Sequence, residues 1–262
     1  MLGRGGVSPS ILEGSDVSLP LQGEGQGGGG GTLHTKMVNE LKKIWPIVWK
    51  ELLSEIRTKE VVLSMCFFAF LVLIIFNFAF FSHVGSSSGV LSGMLWVAFL
   101  FSGLLGLHQS FGSEKERGSL QGLFLCPVDR SVIYVGKMMS NFCFMALMEI
   151  LIIILFSILF QVRLWPIFVP LALILFLGTL GFVFVGTILS AMAVNARARE
   201  IVLTIMLFPI VVPLTIASVK ATEQILNGKG VTDIVGWLKI LLAFDLVFFF
   251  VSYTTFGFVI EE

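Results

Sequence analysis

The sequence is short of charge. Of its 262 residues only 13% are Asp, Glu, Lys or Arg, where a soluble domain carries about a quarter, while 56% are hydrophobic. So few charges exclude a water-facing surface for most of the chain and point to lipid as its solvent. The two signs balance at 17 each, which leaves no basic excess for nucleic acid. Cysteine is scarce too. Cys66, Cys126 and Cys143 form an odd, scattered set without C-x-x-C spacing, which argues against a disulfide framework or a thiolate metal site; they read as filler. No G-x-x-x-x-G-K-[ST] phosphate loop occurs, so the chain carries no such nucleotide site of its own. Nor do a nucleophile and a base fall on one face, and no enzyme site is readable.

Residues 1–36 also lack something: any hydrophobic period. LQGEGQGGGGGT is low in complexity and cannot bury enough surface to order itself. Gly23, Gly25 and Gly28 match G-x-G-x-x-G, but without a flanking strand and helix the match is accidental. A basic n-region followed by an apolar h-region is missing as well, so no secretory signal is read. The expectation is a disordered leader, tag or misassigned start, with Met37 as the true beginning.

What the chain does have is long apolar runs. Six are able to cross about 30 Å of hydrocarbon, which takes about 20 helical residues. They lie near 61–82, 90–111, 138–160, 165–190, 201–219 and 239–259. The alternation of a transmembrane barrel is absent, so the spans are helices, and residues 61–262 form an all-α membrane domain. The fifth is expected to break after Pro213. Loop cations set the orientation. One side carries Lys36, Lys42, Lys43, Lys50, Arg57, Lys59, Lys115, Arg117, Arg130, Lys137, Arg197 and Arg199; the other has Arg163, Lys220, Lys229 and Lys239. Twelve against four places both termini in the cytoplasm of a multi-pass inner-membrane protein.

Ahead of the first span, residues 37–60 are amphipathic. Leu41, Ile44, Trp45, Val48, Leu52 and Ile56 recur at helical spacing, opposite Lys42, Lys43, Lys50, Glu51, Ser54, Glu55 and Arg57. Such a basic helix lies in the membrane interface, either as a plain anchor or as an elbow orienting the first span. Pro46 fits its first turn.

Between the second and third spans stands FGSEKERGSLQGLFLCPVDR, Phe111–Arg130, a charged interruption. Ser113 and Glu116 have capping-box spacing, and Leu120, Leu123 and Phe124 form a short apolar stripe closed by Pro127. The expectation is a short cytoplasmic helix whose stripe seeks a groove on a partner; the plainer reading is a charged turn.

The continuous stretch SEKERGSLQGLFLCPVDRSVIYVGK resembles the loop after the second span of ABC-2-type transporter permeases. Glu114, Glu116, Gly118, Ser119, Leu120, Leu123, Pro127, Val128, Gly136 and Lys137 match, and Gln121 departs from the usual Glu. Within that superfamily, VWKELLSEIRTKE, LWVAFLFSGLLGLHQSFGSEKERGSL, LCPVDRS and ARAREIVLTIMLFPIVVPLTIAS are similar to the heme exporter B family, over most of Met37–Glu262. The resemblance implies a six-helix ABC-2-type permease fold with an elbow helix and a coupling helix. It implies that Glu114, Glu116, Arg117, Gly118, Ser119, Leu120, Leu123 and Pro127 engage a separate ABC ATPase subunit, which binds the ATP. It further implies a dimer of permease subunits, heme as cargo, and two companions in cytochrome c maturation: a heme-handling membrane protein and a heme chaperone.

Ionisable groups at membrane depth are costly and functional by default. Glu149 falls in the third span and Asp245 in the sixth, each as a packed interior group or as part of a polar route. His83 and His108 are the candidate heme ligands, since heme iron takes axial histidine; a loop histidine and an interfacial residue hydrogen-bonding near the elbow helix are the plainer readings. Trp96, Trp165 and Trp237 are placed near span ends. Residues 219–237 are expected as the longest outer connection, with Ile225, Leu226 and Val231 making either a contact surface or a plain connector. Three functions stay open: a heme-related permease, a permease for lipid, glycan or drug, and a non-transporting scaffold for the ATPase.

Overall fold

The structure is a computed structural model, and it describes residues 60–80, 87–116, 130–193, 196 and 198–259, with Trp45, Val48, Trp49 and Leu53 ahead of them. All of these belong to one compact unit, Val38–Glu262. Among the described residues there is helix and turn but no strand. Six long helices follow in order: α1 Glu60–Phe80, α2 Ser88–Glu116, α3 Arg130–Phe160, α4 Phe168–Ala193, α5 Arg199–Leu226 and α6 Val231–Val259. All six are long and apolar enough to cross a membrane. The six expected spans are therefore present, though several boundaries move.

The third helix starts at Arg130, well before residue 138. Lys137 reads as a loop cation, yet it is 1% exposed inside the helix. The fifth does not break. It runs unbroken through Pro209 and Pro213 to Leu226, with both prolines on its exposed side. The outer connection shrinks accordingly. Instead of residues 219–237, the turn between α5 and α6 is Asn227–Gly230. Gly228 takes φ +79, the left-handed conformation that ends helices and that glycine adopts without Cβ strain. The amide of Gly228 then donates to Ile225 O (2.9 Å) and that of Lys229 to Gln224 O (3.1 Å). Ile225 is buried and Val231 exposed.

At the opposite end of the bundle, α2 also overruns its expected limit. Its apolar span closes at His108, but the helix continues to Glu116, about two further turns. The S-x-x-E spacing of Ser113 and Glu116 thus falls in the last turns of a helix already running, not at the start of a new one.

The fourth helix is the axis of the bundle. Every residue from Gly181 to Ala191 is buried, and α3, α5 and α6 all pack against it, as does α2. Helices in lipid gain nothing from the hydrophobic effect between them, so small residues that let backbones approach carry the packing. Gly178, Gly181 and Gly186 do this on α4. An added Cβ at Gly178 would collide with the ring of Trp96, and one at Gly186 with Leu107. Both residues come from α2. The outward faces of α1 and α6 are correspondingly apolar and open: Phe67, Phe78, Val247 and Phe250 are more than half exposed.

Of the segment before α1, the described residues are helical. Val48 is buried, while Trp45, Trp49 and Leu53 are exposed, and the two indoles stack with centroids 6.3 Å apart. Exposed tryptophan on a helix next to a span suits the headgroup layer. Trp49 and Leu53 widen the apolar stripe beyond the positions the spacing marks. Residues 1–36 lie outside the described residues.

Candidate functional site

The polar groups of the bundle interior gather along α4. Glu149 of α3 is 8% exposed, and both of its carboxyl oxygens lie 3.0 Å from Thr179 Oγ1. The same hydroxyl stands 2.8 Å from Leu175 O. A hydroxyl has one proton. With Thr179 donating to Leu175 O, one carboxyl oxygen of Glu149, carrying the acid proton, can donate to Thr179, and the other lies in contact with no proton between them. The expectation of a packed interior group with a side-chain partner therefore fits Glu149.

Asp245 of α6 approaches α4 from another side. It is 4% exposed, and Gly181 is the residue beneath it: an added Cβ there would collide with Asp245 Oδ1 and with Leu214 of α5. Two carboxyls thus flank one stretch of α4, Glu149 at Thr179 and Asp245 at Gly181. Unlike Glu149, Asp245 has no hydrogen-bond partner among the described residues.

Further polar contacts join the helices. Asn141 Nδ2 donates to Thr187 Oγ1 (3.0 Å), Ser252 Oγ to Phe184 O (3.2 Å), and Ser190 Oγ to Leu107 O (2.9 Å). Trp96 is 1% exposed in the interior of α2, not near a span end, because its Nε1 donates to Thr222 Oγ1 of α5 at 3.0 Å. Trp165 does lie at a span end, 92% exposed. Trp237 is half-buried, in reach of the Gln224 amide oxygen across the α5–α6 turn, at 3.0 Å. Thr179, Thr187, Ser218 and Thr222 escaped the sequence reading because a lone hydroxyl in an apolar run marks nothing by itself. Only the partner helix reveals its use.

His108 sits in the last turn of the α2 span, half-buried, with Nε2 3.3 Å from Thr204 Oγ1 of α5. Thr204 gives its single proton to Glu200 O (2.7 Å), so the imidazole Nε2–H is the donor of this pair. Its partner among the described residues is on α5. Beside the pair, an apolar cleft of about 150 Å³ is walled by Leu100 and Leu104 of α2 and by Leu207, Phe208 and Val211 of α5.

His83, Arg117, Gly118, Ser119, Leu120, Leu123 and Pro127 lie outside the described residues. Glu114 and Glu116 belong to the backbone of the closing turns of α2. Cys66 and Cys143 are free thiols, the former 3.5 Å from Met148 Sδ, and no cluster of three metal-ligating side chains exists among the described residues.

Six membrane-length helices with carboxyls buried between them describe a membrane component. Comparison with known proteins agrees. The chain is 29% identical to heme exporter protein B of Pseudomonas aeruginosa, over 72% of this chain and 84% of that one. It is 26% identical to heme exporter protein B of Haemophilus influenzae, over 68% and 80%. A third protein of that name, from Rhodobacter capsulatus, is 26% identical over 54% and 65%. The family model described as CcmB protein matches residues 42–261, nearly the whole described unit, and the chain belongs to the CcmB family.

Proposed function

We propose that this protein is the membrane permease subunit of an ABC-type complex that serves heme export for cytochrome c maturation, driven by an ATPase on a separate chain. The observation that carries the reading is the family match across residues 42–261 on a chain with six membrane-length helices. The names of the relatives favour heme over lipid, glycan or drug as cargo. In this reading the helices adopt the ABC-2-type permease arrangement and two permease subunits pair. Both termini lie in the cytoplasm, on the cation-rich side. The segment at 37–60 is the elbow helix, and Trp45 and Trp49 rest it on the headgroups.

Energy enters through the end of α2 and the residues after it. The helix overruns its apolar span by about two turns and so carries Glu114 and Glu116 clear of the hydrocarbon. Glu114, Glu116 and Arg117 then meet the ATPase as charges, Gly118 and Ser119 link them to the stripe of Leu120 and Leu123, and Pro127 closes the segment. A heme-handling membrane protein and a heme chaperone complete the assembly. His83 and His108 remain the candidate axial ligands in this reading; His83 lies outside the described residues, and His108 has Nε2 3.3 Å from Thr204 Oγ1.

The test is co-purification. Glu116→Lys, or Leu120→Asp with Leu123→Asp, should insert normally into membranes but lose the ATPase and fail to support cytochrome c assembly. An ATPase still bound at normal stoichiometry would refute the coupling role. Normal cytochrome c assembly in a strain lacking the chain would refute the heme assignment.

A further inference from the structure

Three buried polar atoms within the spans have no hydrogen-bond partner among the described residues, and two of them border one turn of α4. They are Ser218 Oγ and both carboxyl oxygens of Asp245. Ser218 is fully buried and Asp245 is 4% exposed. Ser218 Oγ is 3.2 Å from the point where a Cβ on Gly178 would stand, and Asp245 Oδ1 occupies the corresponding place at Gly181. A hydroxyl from α5 and a carboxyl from α6 thus border the same turn of α4, at two glycines that let neighbouring side chains pack close.

The rest of this layer is satisfied. Glu149 is paired with Thr179, Thr222 donates to Ser218 O (2.8 Å) and accepts from Trp96, and Asn141 and Ser252 have their partners. Unpaired buried groups are exceptions that call for a partner, and leaving a carboxyl unpaired in hydrocarbon is especially costly. Besides Ser218 and Asp245, the nearest side chains over the two glycines are apolar: Trp96 from α2, Leu214 from α5 and Phe244 from α6. Glu149, the other titratable group at this depth, contacts Thr179, which points away from Gly181 on the helix. A hard cation such as calcium takes six or more oxygens, and the side chains offer three. A buried water needs two to four polar partners.

We propose that Asp245, Ser218 and the Gly178–Gly181 turn form a water-binding site, in which one ordered water is shared between the carboxyl of α6 and the hydroxyl of α5 and fastens both helices to α4. The inference does not depend on the cargo.

The sign of one substitution tests it. An unpaired buried hydroxyl is a cost, so in a dry site Ser218→Ala raises or preserves the thermal midpoint of the full chain, purified with its bound subunits. In a hydrated site Ser218→Ala lowers it, by about 2–4 °C, the scale on which a chain of this size registers one hydrogen bond. A background of Asp245→Leu separates water from packing. Sharing a water couples the two residues, so Ser218→Ala should cost nothing further there; an undiminished drop in that background overturns the proposal. Should Asp245→Leu fail to fold, infrared spectroscopy replaces the cycle. The carboxyl band that disappears in Asp245→Asn should shift in Ser218→Ala, and a band that this substitution leaves unmoved overturns the site.

Discussion

Trp96 of α2 lies across Gly178 of α4 while its Nε1 donates to Thr222 of α5 at 3.0 Å. One indole therefore locks three helices, and the lock exists only because residue 178 has no side chain. Gly178→Ala gains about 1 kcal/mol of helix propensity but forces Trp96 aside, at about 1–3 kcal/mol for overpacking and roughly 1 kcal/mol for the buried hydrogen bond. The net expectation is a loss of about 2 kcal/mol. Gly93 of α2 supplies the control, because a Cβ there meets nothing within 4 Å. Gly93→Ala should therefore stabilise, by up to about 1 kcal/mol. Thermal unfolding in detergent checks both, and equal midpoints for the two variants would refute the close contact.

The Glu149–Thr179 pair makes a second prediction. Thr179→Val keeps the volume but leaves a buried carboxyl without its hydroxyl, at about 1–3 kcal/mol. Glu149→Gln keeps the shape, and its amide can donate to Thr179 as the acid proton does, so it should cost less than Thr179→Val. Cytochrome c assembly should also survive Glu149→Gln if the carboxyl serves packing alone. Loss of assembly with an unchanged thermal midpoint would instead put Glu149 on a transport route.

Why some of this was legible in the sequence and some was not follows from locality. Lipid-facing helices are apolar on every side, so the six spans announce themselves without knowledge of partners. Their ends do not. Lys137, Lys220, Thr222, Glu223 and Gln224 look like loop residues because they are polar, yet they are helical: Lys220 pairs with Glu223 at 3.0 Å, and Thr222 with Trp96. Likewise Glu149 and Asp245 read as equivalent intramembrane acids. What separates them is whether the facing position on α4 is Thr179 or Gly181, which depends on how two distant segments are phased against each other. His108 could be placed near a membrane surface, but not against Thr204, for the same reason.

A third prediction concerns the charged end of α2. Were Ser113 the N-cap of a new helix, Ser113→Ala would cost about 1 kcal/mol. Inside a continuous helix, as observed, the same change is neutral or stabilises by a few tenths of a kcal/mol. Ser113→Pro should break the extension, since proline removes an interior hydrogen bond and clashes with the preceding turn. Because the span closes at His108, membrane insertion should persist while ATPase co-purification falls. Retention of the ATPase by Ser113→Pro would show that coupling does not need the rigid extension.

The last prediction turns on which nitrogen of His108 carries a proton. Thr204 spends its hydroxyl proton on Glu200 O at 2.7 Å, so the 3.3 Å contact requires hydrogen on His108 Nε2. A ring nitrogen must be bare to bind iron, and this one is committed to holding α2 against α5. His108→Ala and Thr204→Val should therefore each lower stability by about 0.5–1.5 kcal/mol. The double variant should lose less than their sum, since both remove one interaction. Neither change should alter the heme absorbance of the purified complex. If His108→Ala abolished a heme band that Thr204→Val retained, the imidazole would have to leave Thr204 during the cycle and ligate iron, and the α2–α5 contact would be a resting state of a ligand, not a structural pair.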